Sequence, residues 1–566
     1  MKNKIKRISI ISIIFIVSYF VIGYLTLPVL NFQSFGSHVY IGILVAYILT
    51  IILYCFQNKI ISYFGKSRKK YKRVVVTKNE IKTESVYAKD AFTGGNLACI
   101  AYSFVTGVIL LVGLISVIAG SKMFRAKDYY NQLTIENGTT EEFNDIYSYQ
   151  NEDVLLPTID KDLAFRLAEA RLADYGAQYT IDYENFTLIS INQDGEDKLV
   201  RIAPLEYSNL FVSLNRMKQG TIGYIIVNVV TKEAKLYTFD DGLKYMPSSK
   251  FSYDLDRHIR FNYPTKMYND KYFEINDQGN PYWIVPTYEN EISIFNGATS
   301  KGVIVCNAIN GDINYYNLGE EPKWVDRAIF DTLVESQATN ALKYKNGYIN
   351  ATFGSKKEVF QVSDGYNYYI KNGHTYYVSC ITSPNENDQT SIGFITIDLK
   401  TKHAVRYAIS GITEMRAREI AMMDERVKAQ SLDATWPILI NYEGVPTYFV
   451  ILKNDVQAQK VVFINVSDGG LVAMGNGFRE AESEYNNLLA SNGSHVSDSL
   501  EISGKVTKIR DLGETIEFMI DSVNDSYFVV SVSLSIDARF INIGDEVTLK
   551  YRNYGTYNYV IEYKKK

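Results

Sequence analysis

The chain has 566 residues, too many for one hydrophobic core and enough for several domains of ordinary size. Apolar residues make up 46% and charged residues 22%, which excludes a disordered or fibrous chain, and a net charge of -4 excludes whole-chain attraction to nucleic acid. The bias is in tyrosine, with 45 copies: its ring packs on half-buried sheet faces while its hydroxyl stays wet, so sheet-rich domains are expected.

Three stretches near the start carry no charge: ISIISIIFIVSYFVIGYLTL (8–27), VYIGILVAYILTIILYCF (39–56) and LACIAYSFVTGVILLVGLISVIAG (97–120). Each is long enough to cross a hydrocarbon core of about 30 Å, and the first is longer than the apolar part of a signal peptide and is followed by no small-residue cleavage site. Lys2, Lys4, Lys6 and Arg7 precede the first span, and the 57–96 link carries ten basic residues against Glu80, Glu84 and Asp90. Positive charge stays in the cytoplasm, so the expectation is a multi-pass cell-membrane protein with everything beyond about residue 121 outside. Lys122, Arg125 and Lys127 pull weakly the other way. Within the link, Lys66, Arg68, Lys69, Lys70, Lys72 and Arg73 form a cluster suited to anionic lipid, at about 1 kcal/mol per basic residue near the surface. The GGN at 94–96 reads as a loop leading into the third span. Residues 1–127 thus form a membrane domain. The wealth of Lys, Asn, Ile and Tyr has the flavour of a Gram-positive bacterium.

The outer region repeats itself. GYIIVNVVTKEAKLYTF, GVIVCNAINGDINYYNL, GFITIDLKTKHAVRYAI and VVFINVSDGGLVAMG each place an apolar strand before Asn228, Asn307, Asp398 or Asn465. Four residues later stand Lys232, Gly311, Lys402 and Gly469, where a turn closed in the left-handed region wants Gly and tolerates Lys. The turn residues recur at intervals of 79, 91 and 67 residues, too irregular for a solenoid, so separate small tandem domains with their own cores are expected. A further strand precedes each hairpin, starting at Leu199, Asn280, His374 and Val445. Amphipathic helices are expected over 160–176, 321–344 and 412–430, with a weaker one near SYDLDRHIRF.

A helix, a strand and a hairpin with an Asp-x-x-Thr-Gly turn resemble the PepSY repeat, here in four copies over roughly 158–475. Lys232 and Lys402 depart from the family's Gly, and Asn replaces Asp in three copies. The resemblance implies units at 128–250, 251–320, 321–410 and 411–491, each an α+β layer pair, and a role in binding an envelope partner with no catalytic residues to carry over.

A helix expected over 478–491 and the polar spacer NGSHVSDS precede a last segment, 499–566, which resembles an OB-fold, a small Greek-key β-barrel. Its nine basic residues face ten carboxylates, so single-stranded DNA is the less favoured ligand, and a place in DNA transfer or uptake is the alternative reading. His38, His258, His374, His403 and His495 are scattered without metal-ligand spacing, and His374 and His403 read as exposed turn residues. No nucleophile elbow or phosphate loop is present. Cys306 and Cys380 suit either two strand cores or one disulfide. The expectation is a non-enzymatic, membrane-anchored binding, scaffold or regulatory protein of the cell envelope, with no cofactor, acting through protein contacts of its repeats.

Overall fold

The computed structural model describes residues 2–56, 71–77, 80–86, 94–147, 157, 159–193, 196–371, 373–385, 389–454, 457–491, 500–513, 515–523, 526–532, 536–553 and 557–565. Three helices, α1 (Lys2–Thr26), α2 (Phe35–Cys55) and α3 (Gly94–Ala119), are long and apolar enough to cross a membrane. Gly94 and Gly95 belong to the first turn of α3 rather than to a loop before it. The link between α2 and α3 contains a hairpin of β1 (Tyr71–Thr77) and β2 (Glu80–Val86). Lys72 and Arg73 lie in β1, while Lys66, Arg68, Lys69 and Lys70 fall outside the described residues.

After α3 come α4 (Lys122–Tyr130), β3 (Ile135–Asn137) and α5 (Thr140–Ile146). The last starts on a reciprocal cap in which the Thr139 hydroxyl accepts from the Glu142 N–H and the Glu142 carboxylate accepts from the Thr139 N–H.

Four units follow with one plan. The first consists of α6 (Lys161–Leu172), β4 (Tyr179–Ile181), β5 (Thr187–Gln193), β6 (Glu196–Tyr207), α7 (Leu210–Arg216), β7 (Thr221–Asn228) and β8 (Ala234–Leu243). The second has α8 (Leu255–Asn262), β9 (Met267–Tyr268), β10 (Tyr272–Ile275), β11 (Pro281–Ser293), β12 (Asn296–Asn307) and β13 (Ile313–Asn317). The third has α9 (Asp331–Lys343), α10 (Gly347–Thr352), β14 (Gln361–Val362), β15 (Asn367–Lys371), β16 (His374–Thr382), β17 (Thr390–Asp398), β18 (Ala404–Tyr407) and β19 (Gly411–Ile412). The fourth has α11 (Glu414–Ala421), α12 (Glu425–Ala429), β20 (Asp433–Ala434), β21 (Ile438–Tyr442), β22 (Val445–Lys453), β23 (Ala458–Asn465), β24 (Val472–Gly475) and α13 (Phe478–Ser491). In each, two short strands pair in turn along one edge of a long strand, whose other edge pairs with the hairpin: β4 and β5 on β6, β9 and β10 on β11, β14 and β15 on β16, β20 and β21 on β22. Strand β3 adds to β18 in parallel, stitching the segment after α3 to the third sheet.

Helix starts follow capping chemistry, since Asp160, Asp254 and Thr413 each accept an N–H from the residue three positions on. Two expected helices are shorter than their periodicity. Residues 321–330 are not helical and only 331–343 coil, because the charges of Asp326 and Arg327 are taken up by other units. The stretch 412–430 breaks in two at Asp424, whose carboxylate caps α12.

The expectation of units with private cores is corrected by the packing. Their strands carry continuous buried runs, such as Tyr224–Val227, so each sheet has two apolar faces. One face of the first sheet holds α6, while the other meets the second sheet, with Tyr224 and Ile202 against Trp283 and Ile304. The third and fourth sheets pair likewise, with Cys380, Phe394 and Tyr407 against Tyr448, Val450 and Val462. Outside faces are covered by α9 on the third sheet and α13 on the fourth.

The last segment, β25 (Leu500–Asp511), β26 (Thr515–Ile520), β27 (Tyr527–Ser531), β28 (Glu546–Asn553) and β29 (Tyr557–Lys565), closes into a five-stranded barrel in the order β25-β26-β27-β29-β28. The β27–β29 pair is parallel, and the barrel is filled by its own residues, among them Phe518, Phe528 and Val547.

Candidate functional site

The repeated turns are built as small anion-like caps. Asn228 Oδ1 accepts the N–H groups of Val230 and Thr231, Asn307 Oδ1 those of Ile309 and Asn310, and Asp398 Oδ1 those of Lys400 and Thr401. The fifth residue is left-handed in all three, with φ of 65° at Lys232, 81° at Gly311 and 67° at Lys402. The fourth turn differs. Asn465 accepts from Ser467 and Asp468, but its own N–H reaches Leu471, one residue further than its counterparts reach, and Gly469 is not left-handed. One extra residue relieves the turn of the positive φ.

Asp398 carries a histidine partner on its second oxygen. His374 Nδ1 lies 2.8 Å from its Oδ2, so His374 is a half-buried ion-pair member and not the exposed turn residue expected, whereas His403 is exposed beside Glu136. The hydrogen bond to Asp398 raises the His374 pKa against the opposing effect of burial. Burial disfavours ionised Asp398, but the bonds from His374, Lys400 and Thr401 together outweigh it and hold its pKa below the usual carboxylate value. Lys402 reaches across to donate to the Gln132 carbonyl at 2.8 Å.

A buried polar cluster lies where the first three units meet. Glu274 of β10 accepts the N–H groups of Asp326 and Arg327 at 2.9 and 3.1 Å. Asp326 Oδ2 accepts from the Thr375 hydroxyl of the third unit at 2.7 Å and from the Ser190 N–H of the first at 3.4 Å. Arg327 donates to the Leu188 carbonyl of the first unit and to Asp331 of the third, and its guanidinium carbon lies 5.2 and 4.3 Å from the ring centroids of Tyr272 and Tyr368. Burial, reinforced by Asp326, pushes Glu274 up to about 8, and burial raises Asp326 too.

Beside the cluster opens a cavity of about 350 Å³, bordered by Ser190, Tyr224, Lys323, Trp324, Asp326 and Gly373. The size is at the low end of ligand pockets. Asp326 Oδ1 is buried and accepts no hydrogen bond among the described residues. Sequence reasoning missed Glu274, Asp326 and Arg327. The signal was the adjacent pair Asp326–Arg327 inside an apolar run after Pro322, which periodicity absorbed into a helix.

Elsewhere, Cys306 and Cys380 are free and buried in different paired cores. The Cys380 thiol and N–H both meet the Glu414 carboxylate, which the Ser363 hydroxyl also contacts. Among the described residues no three His, Cys, Asp or Glu side chains gather as a metal site. On the barrel, Arg510 pairs with Glu517, Lys550 and Lys564 with Glu562, and Lys565 with Asp545.

No family model matches the chain, and no curated protein matches it. Among solved structures the chain aligns with an ACO/RPE65 chimera at 8% identity and TM-score 0.14, and with a mutant of the Synechocystis apocarotenoid oxygenase at 6% identity and TM-score 0.13. The alignments take in 68% and 67% of this chain and span only 65% and 64% of those chains. The expectation of a non-enzymatic protein is not retained, and TM-scores this low carry no likeness of fold or activity to this chain.

Proposed function

We propose that the chain is a membrane-anchored protein of the bacterial cell envelope, its repeats outside the cytoplasm, that binds an envelope protein partner. In this reading the four units are PepSY-like and the C-terminal barrel is OB-like. The common plan of helix, paired short strands and hairpin supports the first assignment. The strand order with a single parallel pair supports the second. The ten basic residues of the 57–96 link support the orientation.

The observation that carries the binding role is the junction of the first three units. Three units joined through buried Asp326, Arg327 and Glu274 form a pre-organised surface with a cavity at its centre, and pre-organisation lowers the entropic cost of association. Pairing of Arg510, Lys550, Lys564 and Lys565 with carboxylates of the barrel weakens its attraction for a polyanion, which supports a protein contact on the repeats over nucleic acid.

Photo-crosslinking tests this in the intact chain in cells. A photoreactive residue replacing Lys323 at the cavity rim is expected to yield a discrete protein adduct, and one replacing Phe211 on α7 is expected to yield none. Absence of an adduct at Lys323, or salt-sensitive single-stranded DNA binding by the purified chain, would overturn the reading.

A further inference from the structure

Two places at the base of the outer region expose large apolar side chains beside the ends of the apolar helices. The first is next to α3. Helix α4 starts at Lys122, just after α3 ends at Ala119, and is fixed there by the Tyr129 hydroxyl donating to the Gly120 carbonyl at 2.8 Å. Helix α10 packs on α4, with Ala351 and Tyr348 against Ala126 and Tyr129. Phe353, just past α10, is 80% exposed, and Ile349 is 74% exposed. Met123 and Phe124 of α4 are exposed as well. The Phe353 ring meets Tyr348 edge-on, at 6.3 Å between centroids, so it is positioned rather than loose.

The second place is next to α1. Phe261 of α8 is 63% exposed and lies 6.2 Å from Tyr24, in the last turn of α1, while the Arg257 guanidinium lies over the Tyr24 ring at 4.2 Å. The apolar stretch of α3 has 24 residues and rises about 36 Å, against a hydrocarbon core of about 30 Å, so its final turn stands at headgroup level. Side chains held at that level have one apolar phase within reach. Exposed Lys356 and Lys357, three and four residues past Phe353, match the anionic headgroups that border it.

We propose that the base of the outer region is seated in the lipid interface: Ile349, Phe353, Met123 and Phe124 enter it beside α3, Phe261 enters it beside α1, and Lys356 and Lys357 contact anionic headgroups. The seat fixes the height and tilt of the repeats above the bilayer. It rests on the reading of α1, α2 and α3 as membrane spans.

The test uses the full chain reconstituted in vesicles of phosphatidylcholine and phosphatidylglycerol, with bromine on the lipid acyl chains as quencher. Each variant is read as the change in tryptophan emission relative to the unsubstituted chain. Phe353→Trp and Phe261→Trp are expected to add blue-shifted emission that brominated lipid quenches, and Phe20→Trp, within α1, to be quenched as well. Phe211→Trp, an exposed aromatic on α7, is expected to add unquenched emission. Quenching at Phe20→Trp without quenching at Phe353→Trp overturns the seat while leaving the spans intact. Loss of quenching at Phe20→Trp overturns the membrane reading itself. Equal quenching at Phe211→Trp, or protection of Phe353→Trp that rises with protein density, overturns the seat in favour of nonspecific adsorption or a second copy.

Discussion

A side-chain oxygen that accepts two backbone N–H groups does at these turns what it does at a helix start, so losing it costs a similar amount. Asn228→Ala is expected to destabilise the repeat region by about 0.5–2 kcal/mol, measured by denaturant unfolding. Lys232→Gly is expected to be neutral or stabilising by up to about 1 kcal/mol, since Gly adopts the left-handed conformation that Lys232 holds at φ 65° without a Cβ penalty. Lys402→Gly is the poorer probe, because it also deletes the bond to Gln132. These turn positions were legible because turn chemistry is local. His374 was not, since nothing local tells that a His at the start of β16 meets an Asp 24 residues on. The pair sets a pH dependence whose sign follows from both shifts. The raised His374 pKa gives a stabilisation fully present below its unfolded value of about 6.5 and lost as pH rises through the folded value. The lowered Asp398 pKa gives one present above about 3.9 and lost as pH falls through its folded value. Stability of the third unit should therefore peak between about pH 4 and 6.5, and His374→Gln should flatten the alkaline side of that profile in thermal melts across pH.

Strands were readable from alternation and tyrosine bias, yet the reason that three repeats open on glycine needed the pairing. Added Cβ atoms at Gly223, Gly302 and Gly393 would lie 1.8, 2.2 and 2.4 Å from the carbonyl oxygens of Tyr237, Tyr316 and Tyr407. Each glycine is thus where one strand backbone presses against its neighbour, next to register shifts at Gly223 and Gly393. Gly302→Ala is expected to cost about 1–3 kcal/mol, the scale of overpacking, and the fourth repeat, with Lys460 at the equivalent position, shows what the plan looks like without that approach. Between elements, the decisive residues are those that periodicity hid. Removing the Arg327 charge leaves the Asp331 carboxylate, only 14% exposed, without its ion-pair partner and deletes the bond to the Leu188 carbonyl. Arg327→Met is expected to cost about 3–5 kcal/mol and to lower the melting of the first three units together, seen as one calorimetric transition moving. Independent transitions for the first and third units would show that the junction does not couple them.

At the scale of the whole molecule, charge and hydropathy announced three apolar helices, but not how the repeats meet them. Irregular spacing suggested separate domains, whereas two apolar faces per sheet drive the units together in pairs, a consequence of burial that spacing does not encode. The contacts to the helices fix relative sides. The Leu30 N–H donates to the Pro264 carbonyl at 2.8 Å, and Gln33 exchanges hydrogen bonds with Asn290 at 2.7 and 2.8 Å. The β11–β12 hairpin tip reaches α3, where Ser116 accepts from the Phe295 N–H at 3.1 Å. The α1–α2 link, the end of α3 and the repeats therefore share one side of the apolar helices. Since an odd number of crossings separates the N-terminus from the repeats, the proposed orientation puts residues 2–7 and the 57–96 link on the opposite, cytoplasmic side. A reporter active only outside the cytoplasm should then be active when fused after Tyr129 and silent when fused after Lys78, and a second, inserted in the 27–34 link, should be active like the first. Activity after Tyr129 with silence in that link would break the shared side itself. The fully reversed pattern would keep the geometry and turn the repeats to face the cytoplasm.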